Sequence, residues 1–301
     1  VTVTDRLGVP ARPVRHIALA TGLVLVVIAV LGGLSLASYR AADDSLRALT
    51  ARATGTVTGA TSGGAVVTWA GPPVTVPMSG SVPPVGTRTQ IAYDPADPAA
   101  AIIPGAAVLT DADRSRDGVL FAGFLFVLVL LVDGWLLASR WWVARRPGTE
   151  LVVRRISMRR GLMARTWLET EDARWIPVYF DPAVVTLPAP TSVLAHGDRL
   201  IAVELPGTML YPSGRVRRVE PAGRRTDSPV RPDDYAAGRA TAAARWRHQL
   251  RVDAALLVPA PLIGILWAYL DDGGVLGWLG ATAVTAVLAL WWAAIRGADP
   301  T

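Results

Sequence analysis

The run Gly118-Val119-Leu120-Phe121 to Leu136-Leu137-Ala138 is apolar apart from Asp133 and gives way abruptly to Ser139-Arg140-Trp141-Trp142-Val143-Ala144-Arg145-Arg146. A helix of this length rises roughly 30 Å, the thickness of a bilayer's hydrocarbon core. Before it lies the mixed segment Asp111-Ala112-Asp113-Arg114-Ser115-Arg116-Asp117. After it, seven arginines (Arg140, Arg145, Arg146, Arg154, Arg155, Arg159 and Arg160) fall within twenty-one residues. Arginine loaded on one side of a span holds that side in the cytoplasm. The stretch therefore reads as a membrane helix with a direction, from which the rest of the chain can be placed.

Composition agrees with a membrane protein. The 301 residues are 51% hydrophobic with mean hydropathy +0.37, and the apolar excess is gathered into a few blocks. All thirty basic residues are arginine, a pattern of GC-rich coding more than of functional need. Cysteine is absent, which excludes disulfides, thiolate catalysis and cysteine-ligated zinc together. The three histidines, His16, His196 and His248, have no metal-ligand spacing, and no cofactor is expected.

Towards the N-terminus, residues 17–39 carry no charge and read as a first span behind a cytoplasmic segment, 1–16, bearing Arg6, Arg12, Arg15 and His16. A signal peptide is the rival, since Ser35-Leu36-Ala37 suits cleavage. The apolar region exceeds the roughly 7–15 residues a signal peptide uses, so an uncleaved anchor is expected. Residues 40–53 read as a helical stalk, and 40–117 as an extracytoplasmic module. Its short runs (Gly55–Thr58, Ala65–Trp69, Val74–Val76 and Arg88–Tyr93) are broken by Ser62-Gly63-Gly64, Gly71-Pro72-Pro73 and Pro83-Pro84-Val85-Gly86. This is the pattern of a small antiparallel sheet. Its core would be marginal alone, so it should lean on the membrane or on a partner.

Beyond 118–139, the second span, residues 140–220 read as a cytoplasmic basic β-domain of barrel or sandwich type. The strand-like runs are Glu150–Val153, Ala164–Glu169, Arg174–Phe180, Leu200–Glu204 and Arg215–Val219. Residues 221–251 read as a linker, Pro221–Asp234, followed by a juxtamembrane helix, Tyr235–Arg251. The spans 253–270 and 275–295 form a hairpin through Asp271-Asp272-Gly273-Gly274, the first kinked by Pro259 and Pro261. Residues 296–301 are a short cytoplasmic tail. The fold expected is thus membrane α plus β: four transmembrane helices and two small all-β modules, one outside and one cytoplasmic. With both termini inside, the near-membrane arginines divide fifteen inside to five outside. Trp141, Trp142, Trp246, Trp291 and Trp292 then lie at inner boundaries, and Trp267 and Trp278 at the outer hairpin, as an interfacial belt.

Few motifs carry chemistry. Asp111-x-Asp113-x-Ser115-x-Asp117 imitates the start of a calcium loop, but the sixth position is Arg116 and the twelfth Ala122, so a solvated juxtamembrane loop is the better reading. Asp94 and Asp97 could be paired acids, yet Asp-Pro steps start turns for backbone reasons. His196, beside Gly197-Asp198, reads as a turn residue. Small residues four apart (Ala18/Gly22, Ala29/Gly33/Ala37, Ala260/Gly264/Ala268) would let helices approach closely. Asp133 is the candidate intramembrane polar site: such a carboxylate is by default functional, a proton relay for instance, and its plainer role is to pair with an arginine of the bundle. Residues 140–251 hold twenty arginines against eleven acidic residues, a net of +9. Arginines crowding the helix ends fit anionic lipid of the cytoplasmic leaflet better than nucleic acid, with Arg140, Arg145, Arg146, Arg245 and Arg247 as headgroup contacts.

Ala53-Thr54-Gly55-Thr56-Val57, Val85-Gly86 leading to Ile91-Ala92-Tyr93-Asp94-Pro95-Ala96-Asp97-Pro98, and Ala101-Ile102-Ile103 carry a resemblance. On these residues, 40–109 resemble a widespread family of uncharacterised bacterial membrane proteins, a domain-of-unknown-function family with a small β-module between two membrane helices. The remainder is similar in style to actinobacterial integral membrane proteins. The resemblance implies architecture and transfers no functional residue. The expected function is that of a non-enzymatic accessory or scaffold subunit of a cell-envelope complex in the inner membrane, with a protein partner. The alternative is a small transporter or ion-coupled component using Asp133.

Overall fold

In the computed structural model, residues 12–228, 230, 234–243 and 245–301 are described. Arg6, and the side chains of Arg12 and Trp246 on which the topology reading also draws, lie outside the described residues. Packing divides the chain into two units, residues 28–127 and residues 1–27 with 128–301.

The chain starts with α1 (Arg12–Ala48), which runs past the expected span at both ends. It takes in most of the stalk but stops before it is complete. Leu49 and Thr50 close the last turn through their N–H groups, and the chain is already extended at Ala51. There the β-branched residues of Thr54-Gly55-Thr56-Val57 favour strand over helix. Five strands follow: β1 (Ala51–Thr61), β2 (Gly64–Thr68), β3 (Val74–Pro77), β4 (Arg88–Tyr93) and β5 (Ala101–Ile102). They form one antiparallel sheet in the order β3-β2-β1-β4-β5. Val57, Val67, Val76 and Ile91 point to one face and make its core, capped by Trp69 and Tyr93, whose rings meet at a tilt of 55° with centres 4.3 Å apart. The marginal sheet leans on its own chain: Val108 and Leu109, in the first turn of the next helix, pack against this core.

That helix, α2 (Ala107–Val143), begins after Pro104 and the left-handed Gly105 (φ 85°) and ends before Pro147. It contains no proline, so nothing stops it from absorbing Asp111–Asp117. The loop expected there is helical, with Arg114 reaching back one turn to Asp111 at 3.7 Å. Of the glycines in α1, Gly32 is at a close approach, where a Cβ would lie 2.9 Å from the Cβ of Ala122, while Gly22 and Gly33 face open space.

In the other unit, seven strands build a second antiparallel sheet: β6 (Gly148–Arg160), β7 (Met163–Thr170), β8 (Trp175–Val178), β9 (Thr191–His196), β10 (Ala202–Leu205), β11 (Thr208–Leu210) and β12 (Arg224–Asp227), with a short α3 (Pro182–Val185) before β9. The order is β11-β10-β9-β6-β7-β8. The thirteen-residue β6 is the hub: β7 lies along one edge, while β9 and β12 share the other in succession. The segment after β11 then runs beside β8, bridging Val178 to Pro212 and Trp175 to Arg217, so that the sheet curls almost into a barrel. Inside it lie Val153, Leu168, Ile176, Val178, Val193, Val203 and Leu210.

Two expectations fail in this sheet. Arg215–Val219 is not a strand and pairs at Arg217 alone. The supposed linker Pro221–Asp234 contains β12, whose Arg-Arg-Thr-Asp sequence lacks apolar alternation; its strand pairing is with one edge of β6, and its side chains are half-buried or exposed.

Tyr235–Arg251 is not a single helix but α4 (Asp234–Ala243) and α5 (Trp246–Asp253). The third span is likewise broken. A 3-10 turn at Ala254–Leu257 joins α5 to α6 (Ala260–Leu270), with a 44° bend where Pro259 and Pro261 remove backbone donors. The eleven residues of α6 rise only about 17 Å, too little to cross alone. The last helix, α7 (Gly274–Arg296), packs on α6 through Gly264, where a Cβ would meet Thr282 Oγ1 at 2.1 Å, and Trp278 Nε1 donates to the Pro261 carbonyl at 3.1 Å.

Three helices, α1, α2 and α7, are long and apolar enough to cross a membrane, and a fourth is added if the bent α5–α6 pair is one span. Leu19, Leu23, Leu131, Leu262, Leu266 and Leu276 stand exposed along them, an apolar surface that lipid would cover. Three or four such helices point to a multi-pass membrane protein.

Candidate functional site

Asp133 lies on the C-terminal half of α2 and is 7% exposed. Its partners are not arginines. Thr21 Oγ1 of α1 donates to Asp133 Oδ2, and Trp291 Nε1 of α7 donates to Asp133 Oδ1 at 3.1 Å. Three helices separated by more than a hundred residues of sequence thus meet on one carboxylate. In an apolar setting an unmatched carboxylate is costly, and two donors aimed at its two oxygens offset that cost. Arg140, two turns on, faces away, with Nε donating to the Pro212 carbonyl at 3.1 Å and Nη1 to Ser139 Oγ at 2.8 Å. Arg140 therefore ties the end of α2 to the near-barrel.

Arg145 and Arg146 stack over Trp141 and Trp142, one helical turn earlier, with guanidinium carbons 3.4 and 4.1 Å from the ring centres. This is the amphipathic pairing expected where a helix leaves apolar surroundings. Arg245 and Arg247 are exposed at the start of α5 and do not join the other three. His196 is no turn residue. It ends β9, buried, with Nδ1 2.7 Å from the Arg146 carbonyl and Nε2 3.3 Å from a carboxylate oxygen of Glu204. Asp94 and Asp97 accept from the backbone N–H groups of Ala96 and Ala99 at 2.8 and 3.2 Å, ordinary turn chemistry.

The most elaborate polar cluster falls where only a tail was expected. Helix α7 stops at Gly297, left-handed at φ 72°, and a Cβ there would lie 2.8 Å from Ser213. Only glycine meets both demands without strain. The chain then turns into the near-barrel: Ala298 bridges to Arg165, and the Asp299 N–H donates to the Ala164 carbonyl at 2.9 Å. This fills the stretch of the β7 edge that β8 leaves unpaired. Asp299 is 1% exposed. Its Oδ2 accepts from Thr166 Oγ1 at 2.6 Å, Arg155 Nη2 at 3.2 Å and Ser157 Oγ at 3.4 Å, and its Oδ1 from the N–H and hydroxyl of Thr301 at 2.9 and 2.6 Å. Around the tail, His248 Nε2 lies 3.0 Å from the Pro300 carbonyl. Gln249 Nε2 donates to both oxygens of the buried Asp253, at 3.2 and 3.1 Å, and His16 Nε2 lies 3.6 Å from Asp253. One residue before Arg296, the Ile295 carbonyl accepts from the Tyr179 hydroxyl at 2.9 Å, and burial pushes the Tyr179 phenol up against the pull of Arg140 and Arg165.

The chemistry of these clusters is cohesive. Asp133 and Asp299 are each surrounded by protein donors that satisfy both oxygens, which fits holding elements in place better than exchanging protons with a substrate. Among the described residues, no three histidine, aspartate or glutamate side chains converge as metal ligands. Sequence reading found Asp133 from its place in an apolar run. It missed Asp299, whose only visible signal was a C-capping glycine just before an acidic residue.

Replacing Asp299 by alanine would leave Arg155 buried and uncompensated, and should cost about 3–5 kcal/mol. Thermal unfolding in mild detergent would show this as a drop of several degrees, with Asp299→Asn losing less. At Asp133, Asn retains a carbonyl acceptor for Trp291 and should cost about 1 kcal/mol, whereas Leu leaves two donors unmet and should cost about 2–4 kcal/mol. The same unfolding assay orders the two, and equal losses would contradict the hydrogen-bonding role. Compared with protein-family models, curated proteins and solved structures, the chain matches none.

Proposed function

We propose that this chain is a non-enzymatic, four-span inner-membrane protein with both termini in the cytoplasm, acting as an accessory or scaffold subunit of a cell-envelope complex. The observation that supports a scaffold is the construction of the near-barrel. It is tied to α7 through Gly297–Thr301 and Tyr179, and to the end of α2 through Arg140 and His196. A domain fastened to helix ends in this way is suited to presenting a fixed surface beside the membrane. The engagement of both Asp133 oxygens favours this reading over transport, because a carboxylate that relays protons needs access to water or substrate. The orientation rests on the arginine imbalance of the sequence. In that orientation the five-stranded sheet faces outward and the near-barrel inward, each meeting partners on its own side. Anionic lipid of the cytoplasmic leaflet attracts the basic helix ends.

The absence of native cysteine gives a direct test of orientation. Ala60→Cys in β1 and Val219→Cys, 76% exposed between β11 and β12, place one reactive thiol on each sheet domain. In intact cells a membrane-impermeant maleimide should label position 60 and reach 219 only after lysis; the reverse pattern would overturn the topology. For the scaffold role, gentle-detergent purification should bring down a stoichiometric envelope protein. A solitary protein whose pH-dependent ion flux is abolished by Asp133→Asn would favour transport instead.

A further inference from the structure

Several arginines of the near-barrel have carboxylates close by. Arg154 meets Glu169 at 2.5 Å, Arg155 meets Asp299 at 3.2 Å, Arg174 meets Asp172 at 2.6 Å, and Arg225 meets Glu169, Glu220 and Asp227 at 2.7–3.2 Å. Four others, three in the near-barrel and one in α7, are gathered together without one. Arg160 at the end of β6, Arg165 on β7, Arg217 on the segment beside β8 and Arg296 in the last turn of α7 line one cavity of about 240 Å³. Among the described residues none of the four has a carboxylate partner. Roughly eight waters would fill such a volume, so it has room for a phosphate and part of what the phosphate is esterified to.

The cavity walls are aromatic as well as cationic. Trp167 carries Arg165 and Arg217 at 5.2 and 5.5 Å from its ring, and Trp292 carries Arg296 at 4.4 Å. Arg165 is the innermost. Nη2 donates to Ser213 Oγ at 3.1 Å and to the Ser213 carbonyl at 3.3 Å, while the buried Nε has no hydrogen-bond partner. Burial, then the like charges of Arg296 and Arg217, bring the Arg165 guanidinium down to about 10, still charged at neutral pH. Like charges held this close, with a buried N–H left over, are matched by an anion with several acceptor oxygens. Trp292 and Arg296 belong to the end of a membrane-length helix, with Trp292 half exposed, so the cavity opens where that helix leaves its apolar stretch.

We infer that this cavity is a specific site for the phosphate of an anionic phospholipid headgroup, held by Arg165, Arg217 and Arg296 with Arg160 at the rim, its acyl chains running along α7 past Trp292. The site is distinct from the diffuse attraction of Arg145 and Arg146 for a charged leaflet, and it rests on the membrane reading above. Basic pockets beside membrane helices suit such headgroups, since the tails stay in lipid while the phosphate is desolvated among guanidiniums.

The test uses the full chain in nanodiscs of phosphatidylcholine with or without phosphatidylglycerol, read by native mass spectrometry. One phosphatidylglycerol should stay bound as the disc lipid is stripped away. Arg217→Gln, an exposed position whose change leaves the fold intact, should reduce that occupancy about tenfold, the loss expected for a charge-assisted contact. Arg165→Gln should reduce it further, and the Arg145→Gln/Arg146→Gln pair should leave it unchanged. Equal retention in the Arg217 and wild-type proteins would overturn the site. Displacement of the lipid by millimolar inorganic phosphate, with phosphate alone binding as tightly, would overturn the lipid as the ligand. Failure of the wild-type protein to float with liposomes would sink the membrane reading itself, and this assay is independent of the arginine variants.

Discussion

The buried pair of Asp299 and Arg155 is the constraint on which the larger unit depends. A carboxylate and a guanidinium taken out of water together are stable only when their remaining donors and acceptors are also matched. Thr166, Ser157, Thr301 and Ser228 supply most of that matching here, with the buried Arg155 Nε left over. Because Asp299 is three residues beyond the last turn of α7, satisfying it fixes where that helix must end. The left-handed Gly297 makes the turn, and the Tyr179 hydroxyl secures the Ile295 carbonyl on the near side of it. A membrane-length helix is thereby joined to a β-domain by a few residues whose geometry leaves little freedom.

Asp133 does the corresponding work among the helices. Apolar side chains pack α1, α2 and α7 with little preference for one rotation over another when lipid is equally apolar. One carboxylate that must face both a threonine and a tryptophan singles out an arrangement. The arginines divide similarly by surroundings. Arg154, Arg155, Arg174 and Arg225 find carboxylates, Arg145 and Arg146 on the turn after α2 lie over tryptophan, and the group around Arg165 faces a cavity whose described lining holds no carboxylate.

Much of the architecture was legible because it is written in local patterns. The apolar runs gave α1, α2 and α7, and Pro259 and Pro261 announced the broken third span. The runs at 65–69, 74–76, 88–93 and 164–169 lie within a residue or so of β2, β3, β4 and β7. What could not be read depends on distant partners. Residues 111–117 look like a polar loop, yet they sit between two helix-forming stretches with no proline to stop propagation. Strand β12 and residues 298–299 pair over four residues or fewer, too short for any periodicity to register. Asp133 stood out as a charge in an apolar run, but its donors are 112 and 158 residues away. The Arg165 cavity draws one arginine each from β6, β7, the segment beside β8 and α7, and no spacing in the sequence brings them together.

Hydrogen–deuterium exchange at the C-terminus of the full chain in detergent or nanodiscs tests the joint between helix and barrel most directly. The amide of Asp299, bonded to the Ala164 carbonyl, should exchange as slowly as the central amides of β7. Exchange of Asp299 and Thr301 at the rate of an unstructured peptide would contradict it, and α7 would then end free of the β-domain.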